Sequence, residues 1–236
     1  MTLSAANDHA ENAYAYQLLV KQLWHAPLNT FPDQEIVYRD RQRFSYRELR
    51  LRVARLANLL TALGVEAGDT VAVMDWDSHR YLECFYAVPM MQAVLMTANI
   101  RLSPEQLLYT LNHSGAKVLL VNSDFAGVLA EIAPRLESVR RVVWITDDDV
   151  GYGATPMVAG EYETLLANAA PEYDFPDFDE NTRATTFYTT GTTGLPKGVF
   201  FSHRQLVLHT LAAMAALASP ASGQRFHRGD VYMPIT

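Results

Sequence analysis

The segment FSYRELRLRVARLANLLTALGVEAGDTVAVM, Phe44 to Met74, reads as one amphipathic helix leading into one buried strand. Ser45 and Glu48 have the spacing of a capping box, so a helix starts there. Leu49, Val53, Leu56, Leu60 and Leu63 recur at steps of four and three, which makes one apolar stripe suited to a core. The stripe ends at Gly64, an appropriate C′ residue. Thr70 to Met74 then has the composition of a strand covered on both faces. Upstream, Glu35 to Tyr38 and Arg43 to Phe44 flank the polar turn RDRQ as a short hairpin.

The same alternation continues downstream. Ser78 is placed to cap a helix running toward Pro89, and Ala93 to Thr97 is strand-like. Ser103-Pro104 with Gln106 opens another helix and Gly115 closes it. KVLLV follows as a strand, Asp124 to Ala133 as a helix, and RRVVWI as a further strand. Repeated βα units predict an α/β fold with a mostly parallel sheet and helices on both faces. TDDDVGYGATP and PEYDFPDFDEN, rich in acids, Pro and Gly, interrupt regular structure. The second is read as a subdomain junction: residues 1–175 form a first α/β subdomain, and 176–236 begin a second one.

Past that junction, TTFYT and VFFS are strand-like and flank the loop TTGTTGLPKG, Thr189 to Gly198, ahead of an Ala/Leu-rich helix from about Arg204 to Leu217. The loop packs four threonines, three glycines and one lysine into ten residues. Such a mixture has little value in a core and much around phosphate. Gly191 and Gly194 let backbone N–H groups approach an anion. Thr189, Thr190, Thr192 and Thr193 add hydroxyl donors, and a hydroxyl oxygen can also ligate Mg²⁺. Lys197 adds a mobile cation, and Pro196 stiffens the backbone before it. A plain surface turn is the competing reading. Eight fixed positions in T-G-T-T-G-x-P-K-G, at roughly 6% usage each, give a chance match on the order of 10⁻¹⁰ per start. A P-loop does not fit, because Lys197 follows Pro196, Gly198 stands where Ser or Thr is required, and a strand rather than a helix comes next.

Composition narrows the function. The 236 residues carry a net charge of −7 and no Lys/Arg-rich run, which excludes a broad nucleic-acid footprint. AVPMMQAVLM and TLAAMAALA fall short of the roughly 20 residues needed to cross a bilayer, so no transmembrane segment is expected. One cysteine, Cys84, cannot form an internal disulfide, and the polar N-terminus has no secretory pattern. A cytoplasmic location is expected.

YTTGTTGLPKG, Tyr188 to Gly198, followed by Ser202 to Arg204, resembles the phosphate-binding motif of the adenylate-forming superfamily. Phe44–Met74 and NIRLSPEQLLYTLNHSGAKVLLV resemble its N-terminal region, so the likeness covers nearly all the chain from about Phe31. DSHRYLECFYAVPMMQAVLMTANIRLSPEQ looks most like the medium- and long-chain fatty acyl-CoA ligase branch. The resemblance implies activation of a fatty acid by ATP to acyl-AMP, assisted by Mg²⁺, then transfer to CoA. It implies that Thr190 to Gly194 and Lys197 hold the β- and γ-phosphates and that Thr189 approaches Mg²⁺. It also implies that the acyl pocket, the adenine and ribose sites and the C-terminal domain lie outside this chain, which alone would be inactive. The alternatives are an aryl-CoA ligase or other adenylation enzyme, or a non-catalytic nucleotide-binding or dimerisation module.

Other residues give weaker signals. His203 is placed to touch a nucleotide phosphate or an acyl carboxylate, although local packing is the favoured reading. His25, His79, His113, His209 and His227 show no metal spacing. Asp147 to Asp149 read as a solvated turn, and Cys84 as a buried inert thiol. Leu18, Leu19, Leu23 and Trp24 suggest an amphipathic helix covering core, and the resemblance adds a homodimer interface in this N-terminal region.

Overall fold

The computed structural model describes residues 14–148, 157–189, 194–219, 223, 226–227 and 230–233. After a 3₁₀ turn at Val20–Trp24 the elements are α1 (His25–Thr30), β1 (Glu35–Tyr38), β2 (Gln42–Ser45), α2 (Tyr46–Ala62), β3 (Thr70–Met74), α3 (His79–Met90) and β4 (Val94–Thr97). They continue with α4 (Pro104–Ser114), β5 (Ala116–Asn122), α5 (Ala126–Ile132), β6 (Arg141–Ile145), β7 (Val158–Glu161), α6 (Tyr162–Ala167), β8 (Arg183–Thr189), β9 (Lys197–Ser202) and α7 (His203–Ala218). β1 and β2 form the expected hairpin. The other strands make a seven-stranded sheet in the order β7-β6-β5-β3-β4-β8-β9, parallel throughout except for the antiparallel β8–β9 pair.

Strand periodicity sends alternate residues to two cores. Val71, Val73, Leu95, Val118, Leu120, Val143 and Ile145 face a cluster built with α2, α3 and α6. Ala72, Met74, Met96, Leu119, Val121, Val142 and Trp144 face a second, built with α4 and α5. Helices therefore cover both faces, as the alternating pattern predicts. On α2, Leu49, Val53, Leu56 and Leu60 are at most 1% exposed, while Leu63 is half-buried. Cys84 is fully buried in the first cluster, where desolvation pushes its thiol well above the ordinary range.

Three long helices begin with the same device. Ser45 with Glu48, Ser103 with Gln106 and Ser202 with Gln205 form reciprocal capping boxes at α2, α4 and α7. Ser78 caps α3 by accepting from the Tyr81 amide at 3.2 Å. Gly64 and Gly115 sit at φ +87° and +68°, the left-handed conformation that ends α2 and α4 without a Cβ penalty.

The structure corrects three expectations. The Leu18–Trp24 segment is not an amphipathic α-helix: its only helical part is the 3₁₀ turn, because Leu19 and Trp24 reach the core by a bend rather than by helical periodicity. The Asp124–Ala133 helix is shorter, with 3₁₀ turns at Ser123–Phe125 and Ala133–Arg135 on either side of α5. Asp147 is not a solvated acid. It accepts from Arg80 Nη1 at 2.8 Å and from Tyr38 Oη at 2.8 Å, whereas Asp148 is exposed and Asp149 lies outside the described residues.

Asp147 belongs to a larger polar cluster beside the first core. Arg80 also donates to Glu163 at 2.8 Å, Arg52 bridges Glu83 and Glu163, and Tyr162 donates to Glu83 at 2.6 Å. Burial alone would raise the Glu163 carboxyl, but the His79 hydrogen bond and the charges of Arg52 and Arg80 hold it at about 2. The acidic connector after α6 is fastened in a similar way. Asn58 donates to the carbonyls of Ala170 and Glu172, and Lys21 donates to the Phe175 carbonyl at 2.8 Å.

Candidate functional site

β8 ends and β9 begins at the carboxyl edge of the parallel strands, the edge at which open α/β sheets bind ligands. β-branched and aromatic residues hold β8 in the sheet: Ala184 to Thr186 are buried and Leu95, Met96 and Thr97 of β4 pair with Thr185, Thr186 and Phe187. Antiparallel pairing with β9 continues to the mouth of the loop, where Tyr188 faces Gly198 and Thr189 faces Lys197. Thr189 Oγ1 donates to the Lys197 carbonyl at 3.5 Å, which closes the base of the loop.

Of the residues singled out from sequence, Thr189, Gly194 and Lys197 are described, and all three are exposed. Gly194 has φ +114°, a conformation that strains any other residue. The Lys197 ammonium forms no ion pair among the described residues, so it is an uncompensated cation beside the loop. Thr190, Gly191, Thr192 and Thr193 lie outside the described residues. The donor set fits a phosphate: Thr189 to Gly198 contains hydroxyls, glycines and one cation, and no carboxylate. For Mg²⁺ it offers hydroxyl oxygen alone, so most of the ion's ligands would come from phosphate and water.

His203, the first residue of α7, faces away from this chemistry. It is fully buried, its Nδ1 accepts from the Val20 amide at 3.1 Å, and its ring meets Phe178 edge-on at 4.9 Å. Desolvation lowers its imidazole to about 4, so it stays neutral. Local packing is the outcome. Sequence reading missed another histidine: His113 Nδ1 on α4 shares a 2.8 Å hydrogen bond with Tyr188 Oη at the loop base. The signal present was the capped helix ending at Gly115, which fixes where His113 sits, but its partner is 75 residues away.

Among the described residues, no group of three or more His, Cys, Asp or Glu could hold a metal ion, and no helix is long and apolar enough to cross a membrane.

Comparison with known proteins gives a consistent result. The chain is 41% identical over 193 residues to a long-chain-fatty-acid–CoA ligase of Thermus thermophilus, covering 82% of this chain and 33% of that protein. It is 36% identical over 181 residues to a 3-methylmercaptopropionyl-CoA ligase of Ruegeria pomeroyi, covering 77% and 33% respectively. The chain thus spans about a third of the length of these curated relatives. The solved structure of ATP-bound MatB from Rhodopseudomonas palustris superposes with a TM-score of 0.71 at 23% identity, over 86% of this chain and 38% of that one, which shows a shared fold. The AMP-binding enzyme family matches residues 24–236. With the match running through both cores and the loop, the chain belongs to the family of AMP-binding enzymes.

Proposed function

We propose that the protein carrying this chain activates a carboxylic acid, in the first place a fatty acid, with ATP and transfers the acyl group to CoA. The carboxylate oxygen attacks the α-phosphorus and pyrophosphate leaves; the CoA thiol then attacks the acyl carbonyl of acyl-AMP and AMP leaves. One observation carries the reading: a lysine with no ion pair among the described residues and a threonine hydroxyl stand paired at the base of a Gly/Thr loop on the ligand-binding edge of the sheet. Lys197 would neutralise the β- and γ-phosphates, and Thr190 to Gly194 would donate hydroxyl and backbone N–H groups to them. Thr189 would approach Mg²⁺, which supplies further charge neutralisation. Positioning and electrostatics of this kind are what phosphoryl chemistry demands.

The relatives' names include a long-chain fatty acid and 3-methylmercaptopropionate, so a short acid is the second reading. The boundary near residue 175, a cytoplasmic location and a homodimer through the N-terminal region belong to the same proposal; a light-scattering mass of monomer alone at tens of micromolar would remove the dimer. The 236-residue chain alone is proposed to be inactive, and acyl-AMP formation by it would overturn that.

The test is pyrophosphate release by the protein carrying this chain, with ATP, Mg²⁺ and a panel of fatty, short and aromatic acids. Lys197→Ala and Gly191→Ala should lower ATP-dependent turnover by roughly tenfold to a hundredfold with the circular dichroism spectrum unchanged. Unchanged turnover would mean that the loop is structural.

A further inference from the structure

We propose that His113, acting through Tyr188, is a positioning residue that pins the base of the loop so that Thr189 and Lys197 meet a nucleotide phosphate together. The inference deepens the phosphate-handling reading above and rests on it.

Tyr188 is the last buried residue of β8, 8% exposed, with its ring in the second core. It is held on two sides. On one, its Oη lies 2.8 Å from His113 Nδ1, and the two rings meet edge-on at 5.7 Å. On the other it crosses from Gly198, its partner in β9, where a Cβ would stand only 3.3 Å from the Tyr188 ring. A side chain at 198 would therefore press on the ring by a few tenths of an ångström. His113 is itself backed by Tyr109 at 5.4 Å, one helical turn earlier on α4. The capping box at Ser103 and the left-handed Gly115 fix both ends of that helix.

The pinned pair Tyr188–Gly198 is adjacent to the pair Thr189–Lys197. A strand pair is stiff over one residue, so where Tyr188 sits decides where Thr189 and Lys197 sit. Among the described residues, no comparable contact restrains Leu195. Leu195 is 62% exposed and borders a cavity of about 540 Å³ lined also by Glu105, Tyr109, His113 and Glu137. Leu195 thus faces open space beside α4, and the base of the loop is where Tyr188 and His113 act. His113 is exposed on its outer side, so its removal should leave both cores intact.

The test uses the protein carrying this chain as His113→Ala, His113→Gln, Tyr188→Phe and the Ala/Phe double variant, with Lys197→Ala as reference. Two quantities are read: ATP KM against kcat in pyrophosphate release, and hydrogen exchange of the Lys197 and Gly198 amides without nucleotide. Loss of the pin should raise ATP KM about fivefold, the usual worth of one neutral hydrogen bond, with kcat changed less. Exchange should quicken by a similar factor, the double variant should be no worse than either single one, and Gln at 113 should recover part of the loss. If Lys197→Ala lowers kcat or raises KM while His113→Ala and Tyr188→Phe change neither KM nor exchange by more than twofold, the pin is wrong. If Lys197→Ala changes neither kcat nor KM, the phosphate reading fails and takes the nucleotide half of this inference with it; exchange then decides whether His113 holds the loop.

Discussion

The backbone amide of Val20 donates to Nδ1 of His203 across 3.1 Å, joining the segment ahead of the first hairpin to the start of α7, 183 residues later. The bond requires an imidazole with a free lone pair at Nδ1, and burial supplies it by lowering the group to about 4. Unfolding exposes an imidazole that takes up a proton near its ordinary value of 6.5. Between about pH 6.5 and 4 the unfolded chain therefore binds one proton more than the folded one.

The first expected outcome follows from that difference. The contribution of neutral His203 is complete above pH 6.5 and declines as pH falls toward 4, by on the order of 1 kcal/mol per pH unit. Urea unfolding at intervals across this range should show the decline. His203→Phe should flatten it while lowering stability at pH 7, because the Val20 amide loses its acceptor. An equally steep decline in the variant would sink the assignment.

Arg80 is 6% exposed at its side chain and pairs with Asp147 and Glu163. Arg80→Met should cost about 3 kcal/mol by leaving both carboxylates short of a cation. A urea midpoint lowered at unchanged m would record it. Since Glu163 is held at about 2 against an ordinary 4.5, its contribution is present above about pH 4.5 and lost as pH falls toward 2. The variant should accordingly lose less than the parent on acidification.

The three serine caps allow a matched comparison. Ser45→Ala, Ser103→Ala and Ser202→Ala should each lower stability by about 1 kcal/mol. Ser202 should lie at the upper end, because it is buried and water cannot replace its bond to the Gln205 amide. Thermal melts at pH 7 that ranked Ser202 lowest would contradict this.

Residues 168–182 contain no helix or strand yet are tied to α2 and the N-terminal segment. Limited proteolysis should leave the connector uncut in the parent. Asn58→Ala should expose it to cleavage near Glu172, since the two carbonyls held by that amide lose their donor. Rapid cutting of the parent there would refute the tether.

Sequence by itself determined the elements whose signals are local. A capping box, an apolar stripe and a closing glycine act within a few residues, which is why α2, α3 and α4 and the strands between them stand where the pattern put them. β7 and α6 escaped because four half-buried residues and a six-residue helix carry no periodicity to read. The Gly/Thr loop was legible for the same local reason, its chemistry being concentrated in ten consecutive residues. Only the tertiary structure decided the rest. Asp147 on Arg80, His203 on Val20 and His113 on Tyr188 are contacts between residues 67, 183 and 75 positions apart. Their energies come from burial and from the direction of a partner, and neither exists until the sheet has brought those segments together.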